Sequence, residues 1–178
     1  MSDGTFLTDV KTLRDRARKH LEEGAVTCTY QGDVHKTVEI LQSVLATEIV
    51  CVLRYTMHAV AATGISSEGV KDEFAQHAKE EQEHMMAVAK RINQLGGKPN
   101  LNPEGLATRS HTEYGEATDL VSMIKENLIA ERIAVESYSE VTRWLGDSDP
   151  TTRKLVLDIL KMEEEHADDM KTLLEKVG

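Results

Sequence analysis

Aromatic residues, prolines and cysteines are all scarce in this chain. Phe, Trp and Tyr together make up 4% of its 178 residues, beside three prolines and two cysteines. Two cysteines, Cys28 and Cys51, cannot form a disulfide framework. No run of 18 or more apolar residues is present, which excludes a membrane-spanning helix. A signal peptide is also missing from the start, so the expectation is a soluble, cytoplasmic protein without a membrane partner. Net positive charge is absent as well. The formal charge of −10 argues against a general nucleic-acid-binding surface, although it is ordinary for a soluble protein and could concentrate cations. What remains is rich in Ala, Leu, Glu and Lys, which favour helices. The length suits one domain, large enough to bury a core without disulfides or a metal staple.

Within that helical composition one pattern occurs twice. Glu48 is followed 33 residues later by Glu81-x-x-His84, and Glu131 is followed 32 residues later by Glu163-x-x-His166. Positions i and i+3 share a helix face, so each Glu-x-x-His pair can aim both groups at one point. Two such pairs and two single carboxylates supply four acidic ligands and two imidazoles, the set of a dinuclear iron or manganese site inside a helix bundle. Glu-rich runs such as Glu80-Glu81-Gln82-Glu83 and Glu163-Glu164-Glu165 are ordinarily solvated helix faces. Yet of seven histidines only His84 and His166 have Glu three places before them, and each has its distant Glu in register.

The spacing fits helical hairpins. The midpoint between Glu48 and Glu81 falls at Gly64 and Ile65, within a Thr-Gly-Ile-Ser-Ser segment. That between Glu131 and Glu163 falls at Asp147, within Gly-Asp-Ser-Asp-Pro. Both are turn compositions. The paired ligands then lie at one height, about 21 Å from each turn. Long helices are expected over about 33–63, 67–95, 116–145 and 150–177. An amphipathic N-terminal helix is expected over about 5–23, with Phe6, Leu7, Val10, Leu13, Ala17 and Leu21 at three- and four-residue steps. The β-prone 25–32 reads as a linker, so that 1–32 precedes a bundle over 33–178. Between the second and third long helices lie about twenty polar, Gly- and Pro-containing residues, which can span roughly 66–70 Å. A thirty-residue helix is about 45 Å long. The connection can therefore cross the whole bundle and set the third helix parallel to the second, where a plain up-down bundle would use a short loop.

Fe(II) suits mixed carboxylate and imidazole donors, and hard anionic carboxylates tolerate its oxidation to Fe(III). Four carboxylates also balance two divalent ions, so the filled site costs little to bury. Without metal, crowded acids repel and some hold protons. Metal binding is therefore expected to release protons and raise thermal stability. A redox-silent metal that pins the bundle is the structural alternative. Tyr55 lies two turns after Glu48, where it could hydrogen-bond near the metals, donate an electron, or simply be a satisfied buried phenol. Tyr138 bears the same relation to Glu131. His58 reads as a second metal-proximal group or, better, a partly exposed helix histidine. Cys51 reads as core, one turn from Glu48. His20, His35, His77 and His111 read as ordinary residues.

Taken together, Glu48 with Tyr55 and His58, Glu81-Gln82-Glu83-His84, the segment Arg91-Ile-Asn-Gln-Leu-Gly-Gly-Lys-Pro-Asn-Leu101, and Ile159-Leu-Lys-Met-Glu163-Glu-Glu-His166 resemble the bacterioferritin-type branch of the ferritin-like superfamily. The resemblance spans about 145 residues. It implies an all-α, ferritin-like four-helix bundle with the long crossover, here with an extra N-terminal helix. It also implies two iron ions per subunit, Glu81 and Glu163 bridging them, Glu48, Glu131, His84 and His166 as terminal ligands, and electron delivery by Tyr55. Manganese is the alternative metal. Three departures matter. Gln82 stands where that branch places a haem-ligating methionine, so no haem is expected. The sequence stops just after the expected fourth long helix, so no fifth short helix is expected. An N-terminal helix is added. The last two features resemble Dps-like architecture, whose cages have twelve subunits rather than 24, although Dps sites lie between subunits. Ala134 stands where rubrerythrins carry an extra metal-binding Glu.

The function so implied is a ferroxidase in a homo-oligomeric cage, oxidising Fe(II) with O2 or H2O2 and storing ferric iron. A non-storing di-metal peroxidase or oxidase is the first alternative. A DNA-protecting protein is the second, supported by Lys11, Arg14, Arg16, Arg18 and Lys19. Asp3, Asp9, Asp15, Glu22 and Glu23 balance these charges, so the expected reading is a solvated helix that packs on a neighbour and does not bind DNA.

Overall fold

The computed structural model describes residues 8–19, 21–64 and 67–177. These residues form six α-helices: α1 (Val10–Ala17), α2 (Val34–Ala61), α3 (Ser67–Gln94), α4 (Leu106–Arg109), α5 (Leu120–Leu145) and α6 (Pro150–Val177). Three of the four long helices start on aspartate caps. Asp33 accepts from the Lys36 amide, Asp119 from Ser122 and Asp149 from Thr152, which satisfies amides that have no partner within the helix. The Asp119 cap explains why α5 begins at Leu120 and not near 116. Residues 116–118 extend the crossover instead, and the Ala117 amide donates to Glu126. At the other end of α3, Gly96 has φ +82°, while the amides of Gly96 and Gly97 donate to the carbonyls of Asn93 and Ile92. This is the double hydrogen bond of a left-handed C-terminal cap. A Cβ on Gly97 would come within 2.8 Å of the Val38 side chain, so the cap also lets α2 approach closely.

Helices α2 and α3 form one hairpin, and α5 and α6 form the other. Across the hairpins, Tyr138 meets Glu48 and Glu131 meets Tyr55, so α2 and α5 run antiparallel. Arg91 meets Thr152 and Glu81 meets His166, so α3 and α6 do likewise. Helices α3 and α5 are therefore parallel, as the long connection requires. That connection is tied along α2: Gln42 binds the backbone of Lys98 and Asn100, Thr47 accepts from the His111 amide, and Arg54 donates to the Glu113 carbonyl. Leu106 of α4 packs on Ala46 and Val50.

Two apolar layers hold the bundle. One contains Leu41, Leu45, Val88, Ile92, Val141 and Ile159, and the other Phe74, Met123, Ile124 and Met170 with the Tyr55 ring. On each long helix the ligand candidate lies between the residues that serve these two layers.

The N-terminal helix is shorter than its apolar period suggests. It covers eight residues, starts on Asp9, buries no side chain, and is followed by a 3-10 turn at Leu21–Glu23. A helix this short with no buried face gains little from packing. Phe6, Leu7 and His20 lie outside the described residues, as do Ile65 and Ser66 of the expected first turn. The 25–32 segment forms no strand. Val26 and Tyr30 pack on the first apolar layer, and the Tyr30 hydroxyl donates to Asp149 at 2.8 Å.

Candidate metal centre

Glu48, Glu81, His84, Glu131, Glu163 and His166 converge in the layer between the two apolar clusters. All are buried except His84, whose side chain is 11% exposed. Their ligand atoms form two overlapping groups, Glu48–Glu81–His84–Glu163 and Glu81–Glu131–Glu163–His166, each with its atoms within 4.8 Å of one another. Glu81 and Glu163 belong to both. The His84 Nδ1 atom lies 3.3 Å from Glu48, 3.6 Å from Glu81 and 3.1 Å from Glu163. The His166 Nδ1 atom lies 3.2 Å from Glu81 and 3.9 Å from Glu163.

Burying this much charge and leaving it unpaired is unfavourable. Nevertheless Glu48 Oε2, Glu81 Oε2, His84 Nδ1, Glu131 Oε2 and both Glu163 oxygens are buried without a hydrogen-bond partner. Six of the nine such atoms among the described residues thus come from the converging residues, the others being His58 Nε2, Arg109 Nε and Arg153 Nε; hard oxygen donors with imidazole suit divalent iron or manganese. The residues therefore fit a dinuclear metal.

The electrostatics point the same way. Burial, followed by the neighbouring Glu81 charge, pushes Glu48 up to about 8. Burial and Glu81 also raise Glu131 and hold Glu163 well above the carboxylate range. For Glu81 burial acts upward too, but hydrogen bonds from His166 and His84 outweigh it and hold that carboxyl down. Burial disfavours charge on both histidines, yet the surrounding carboxylates prevail. His166 rises to about 9, and His84 rises further. The metal-free cluster therefore stores protons on carboxyls and imidazoles, which a divalent cation would have to displace.

Two tyrosines brace the cluster symmetrically. Tyr55 on α2 donates to Glu131 Oε1 at 2.5 Å, and Tyr138 on α5 donates to Glu48 Oε1. Burial, with the nearby carboxylates, pushes both phenols well above their ordinary range, so both keep their hydrogens.

Other residues stand differently from their sequence reading. His58 is fully buried rather than partly exposed, and its Nδ1 atom lies 3.0 Å from the Asn127 amide nitrogen. Asn127 also accepts from Arg54, so His58 completes a buried polar chain from the crossover. Cys51 is buried as expected, with Sγ accepting from Arg54 and lying 3.8 Å from the Thr112 hydroxyl. His35 is ordinary and exposed, beside Glu39. His77 is not ordinary. It is buried against the cluster, with its ring stacked on His166 at 4.0 Å and its Nδ1 atom 3.2 Å from the Tyr55 hydroxyl. Burial, then His166, holds its pKa down to about 4. Glu80 belongs to a Glu-rich run of the kind common on solvated helix faces, yet its carboxylate lies 3.0 Å from His166 Nε2. With one proton held on Nε2 by Glu80, the proton that Nδ1 shares with Glu81 is the one a metal would displace, which is the usual way a ligating imidazole is oriented. Both residues carried a sequence signal, since His77 and Glu80 stand one turn before Glu81 and His84, respectively.

Comparison with known proteins gives a consistent picture. Residues 38–178 match the ferritin-like domain family. The DNA protection during starvation protein of Pyrococcus furiosus is 34% identical over 137 residues, covering 75% of this chain and 74% of that one. A dodecameric thioferritin, the bacterioferritin-related protein of Bacteroides fragilis, superposes with a TM-score of 0.79 at 31% identity, over 83% of this chain and 89% of its own. Dps from Thermosynechococcus elongatus superposes with a TM-score of 0.75 over 79% of this chain and 90% of its own; at 17% identity it shows the shared fold alone. Among the described helices none is long and apolar enough to cross a membrane.

Proposed function

The chain belongs to the ferritin-like family, and we propose that it is a ferroxidase that binds two Fe(II) as substrate within one subunit and stores the ferric product in a homo-oligomeric cage. The observation that carries this reading is the pair of overlapping ligand groups sharing Glu81 and Glu163. One ion falls to Glu48 and His84, the other to Glu131 and His166, and the shared carboxylates bridge. Two Fe(II) supply the electron pair that reduces H2O2 to water, or O2 to H2O2. Manganese fits the same donors, but the carboxylate-rich set favours a metal that ends as a hard trivalent ion.

The remaining residues prepare the site. Tyr138 and Tyr55 aim Glu48 and Glu131 by donating to one oxygen of each, which leaves the other oxygen for metal. Glu80 holds the His166 proton on Nε2. The apolar layers on either side keep bulk water out. Tyr55 is also placed to give up an electron, with Glu131 at 2.5 Å to receive its proton.

A cage of twelve subunits is favoured by the dodecameric Bacteroides relative at 31% identity. Exposed Leu53 and Val60 on α2 and Ile129 and Trp144 on α5 supply apolar surface that subunit contacts would cover. Protection of DNA is the second reading, because the Pyrococcus relative bears that name at 34% identity. Of the basic residues on and just after the N-terminal helix, Arg18 already pairs with Asp15, at 3.3 Å.

The deciding experiment is anaerobic Fe(II) titration of metal-free protein, followed by separate pulses of H2O2 and O2, with particle mass followed throughout. Two rapidly oxidised Fe(II) per chain and continued uptake into a large particle are expected. Glu81→Ala and Glu163→Ala should abolish the rapid phase while keeping the helical content. Native kinetics in both variants would sink the assignment. A small oligomer without further uptake would instead indicate a non-storing peroxidase or oxidase. Salt-sensitive retention of DNA fragments would establish the second reading.

A further inference from the structure

Beside the six-residue centre, His77 presents a second arrangement of donors. Its side chain is 1% exposed, and its two nitrogens face opposite ways. Nδ1 lies 3.2 Å from the Tyr55 hydroxyl, while Nε2 lies 3.3 Å from Glu73 Oε1 and 3.5 Å from Asp169 Oδ2. The Tyr55 hydroxyl has a single hydrogen, and it is committed to Glu131 at 2.5 Å. The contact between Tyr55 and His77 is therefore Nδ1–H donating to the phenol oxygen. The other nitrogen, Nε2, of this buried ring is aimed at two carboxylate oxygens from two different helices. An imidazole nitrogen and two carboxylates converging on one point make a donor set that suits a divalent cation.

We propose that Glu73, His77 and Asp169 form a third divalent-cation site, distinct from the two in the centre, where Fe(II) rests on its way to or from the oxidation site. The three donor atoms lie within 4.8 Å of one another, so a small inward shift brings them to the 2.0–2.2 Å of imidazole and carboxylate ligation. Glu73 and His77 are one helical turn apart on α3, and Asp169 reaches across from α6, so both helices frame the site. Glu73 and Asp169 are 37% and 52% exposed, which opens it to solvent. On the inner side His77, Glu80 and His166 form another compact donor group, and the His77 ring lies flat on His166. An ion can thus pass from the exposed carboxylates and His77 to the Glu80 carboxylate beside the centre without losing every protein ligand. The cation site stands on its own geometry. The routing of Fe(II) rests on the ferroxidase reading.

Zn(II) serves as the redox-silent probe. Crystals of the full chain soaked in Zn(II) should show an anomalous peak among Glu73, His77 and Asp169 in addition to two peaks in the centre. Equilibrium titration should find one more equivalent in the native protein than in the Glu73→Gln/Asp169→Asn variant, which keeps both central peaks. With Fe(II), that variant should oxidise iron more slowly at limiting iron, with the difference disappearing at high iron. No peak at the triad while the centre is filled, or equal equivalents in native and variant proteins, would overturn the proposal, as an ordinary ion pair between His77 and Glu73 requires. The Glu163→Ala variant separates the two readings. It should lose the central peaks and keep the third, while a failed ferroxidase assignment would show instead as native protein that binds Zn(II) at the triad yet does not oxidise Fe(II) rapidly.

Discussion

The Tyr138 hydroxyl on α5 donates to Glu48 on α2, and the reverse pairing joins Tyr55 on α2 to Glu131 on α5. Each tyrosine lies seven residues after the glutamate of its own helix and serves the glutamate of the other. The two halves of the centre are thus related by a local two-fold pattern, yet only Tyr55 has His77 behind it. Replacing either phenol removes a buried hydrogen bond to a carboxyl group, which should cost about 1–3 kcal/mol of stability. Tyr55→Phe should in addition slow Fe(II) oxidation clearly more than Tyr138→Phe does. Stopped-flow oxidation and thermal melts of both variants check this; equal rates would reduce Tyr55 to a positioning role.

The pKa shifts in the centre fix how pH acts on the metal-free protein. Glu48 titrates near 8 in the fold against an ordinary 4.5, and His166 near 9 against 6.5. Both are raised, so the native state binds more protons than the unfolded chain across those intervals. Stability is then fully present at the low end and is lost as pH rises from about 4.5 to about 9. Glu81, held low, acts in the opposite direction only below its ordinary value. A divalent ion removes the repulsion that these protons relieve. The melting temperature gained on adding Zn(II) should therefore widen between pH 6 and pH 8.5, and binding should release protons, measurable by calorimetry in buffers of different ionisation enthalpy. A gain that stays constant with pH would show that the cluster is not the metal site.

Glu80 tests the orientation of His166 separately from its ligation. Glu80→Ala removes the acceptor at Nε2 without touching any of the six converging residues. Groups that orient a ligating histidine commonly contribute 10–100-fold to affinity, and a loss of about that size is expected here with normal helicity. Glu80→Gln, which retains an oxygen acceptor, should recover most of it. Equal affinity in native protein and Glu80→Ala would mean that packing alone holds the ring.

Much of this arrangement is legible in the sequence. The expected 67–95 and 150–177 became Ser67–Gln94 and Pro150–Val177, because apolar periodicity, a glycine stop and an Asp-Pro start all act locally. The six converging residues were legible for the same reason: i, i+3 spacing and equal distances from a turn survive as geometry. Contacts between helices were not. His77 and Glu80 owe their roles to α6, which lies some ninety residues away in sequence, and His58 owes its burial to Asn127 on α5. The end of the N-terminal helix was missed because an apolar stripe predicts which face can be buried, not whether anything covers it.

Asp149 closes the bundle at the end away from Tyr55. It caps α6 through Thr152, accepts from the Arg91 guanidinium at 3.0 and 3.1 Å, and accepts from Tyr30 of the N-terminal segment. Arg91 is nearly buried, so removing its carboxylate partner strands a guanidinium in the interior. Breaking such a pair typically costs about 3–5 kcal/mol, and the lost cap about 1 more. Asp149→Ala should therefore melt well below the native protein, while Tyr30→Phe, which removes only the linker bond, should lose about 1 kcal/mol. Replacing both partners, as in Arg91→Met/Asp149→Asn, leaves no stranded charge and should regain part of the loss. Both single variants should still bind two Fe(II) per chain when folded, because the pair lies one helical layer beyond the centre. Denaturant unfolding and anaerobic titration check the two halves of this expectation. An Asp149→Ala variant within about 0.5 kcal/mol of native would show that water satisfies Arg91 as well as the carboxylate does.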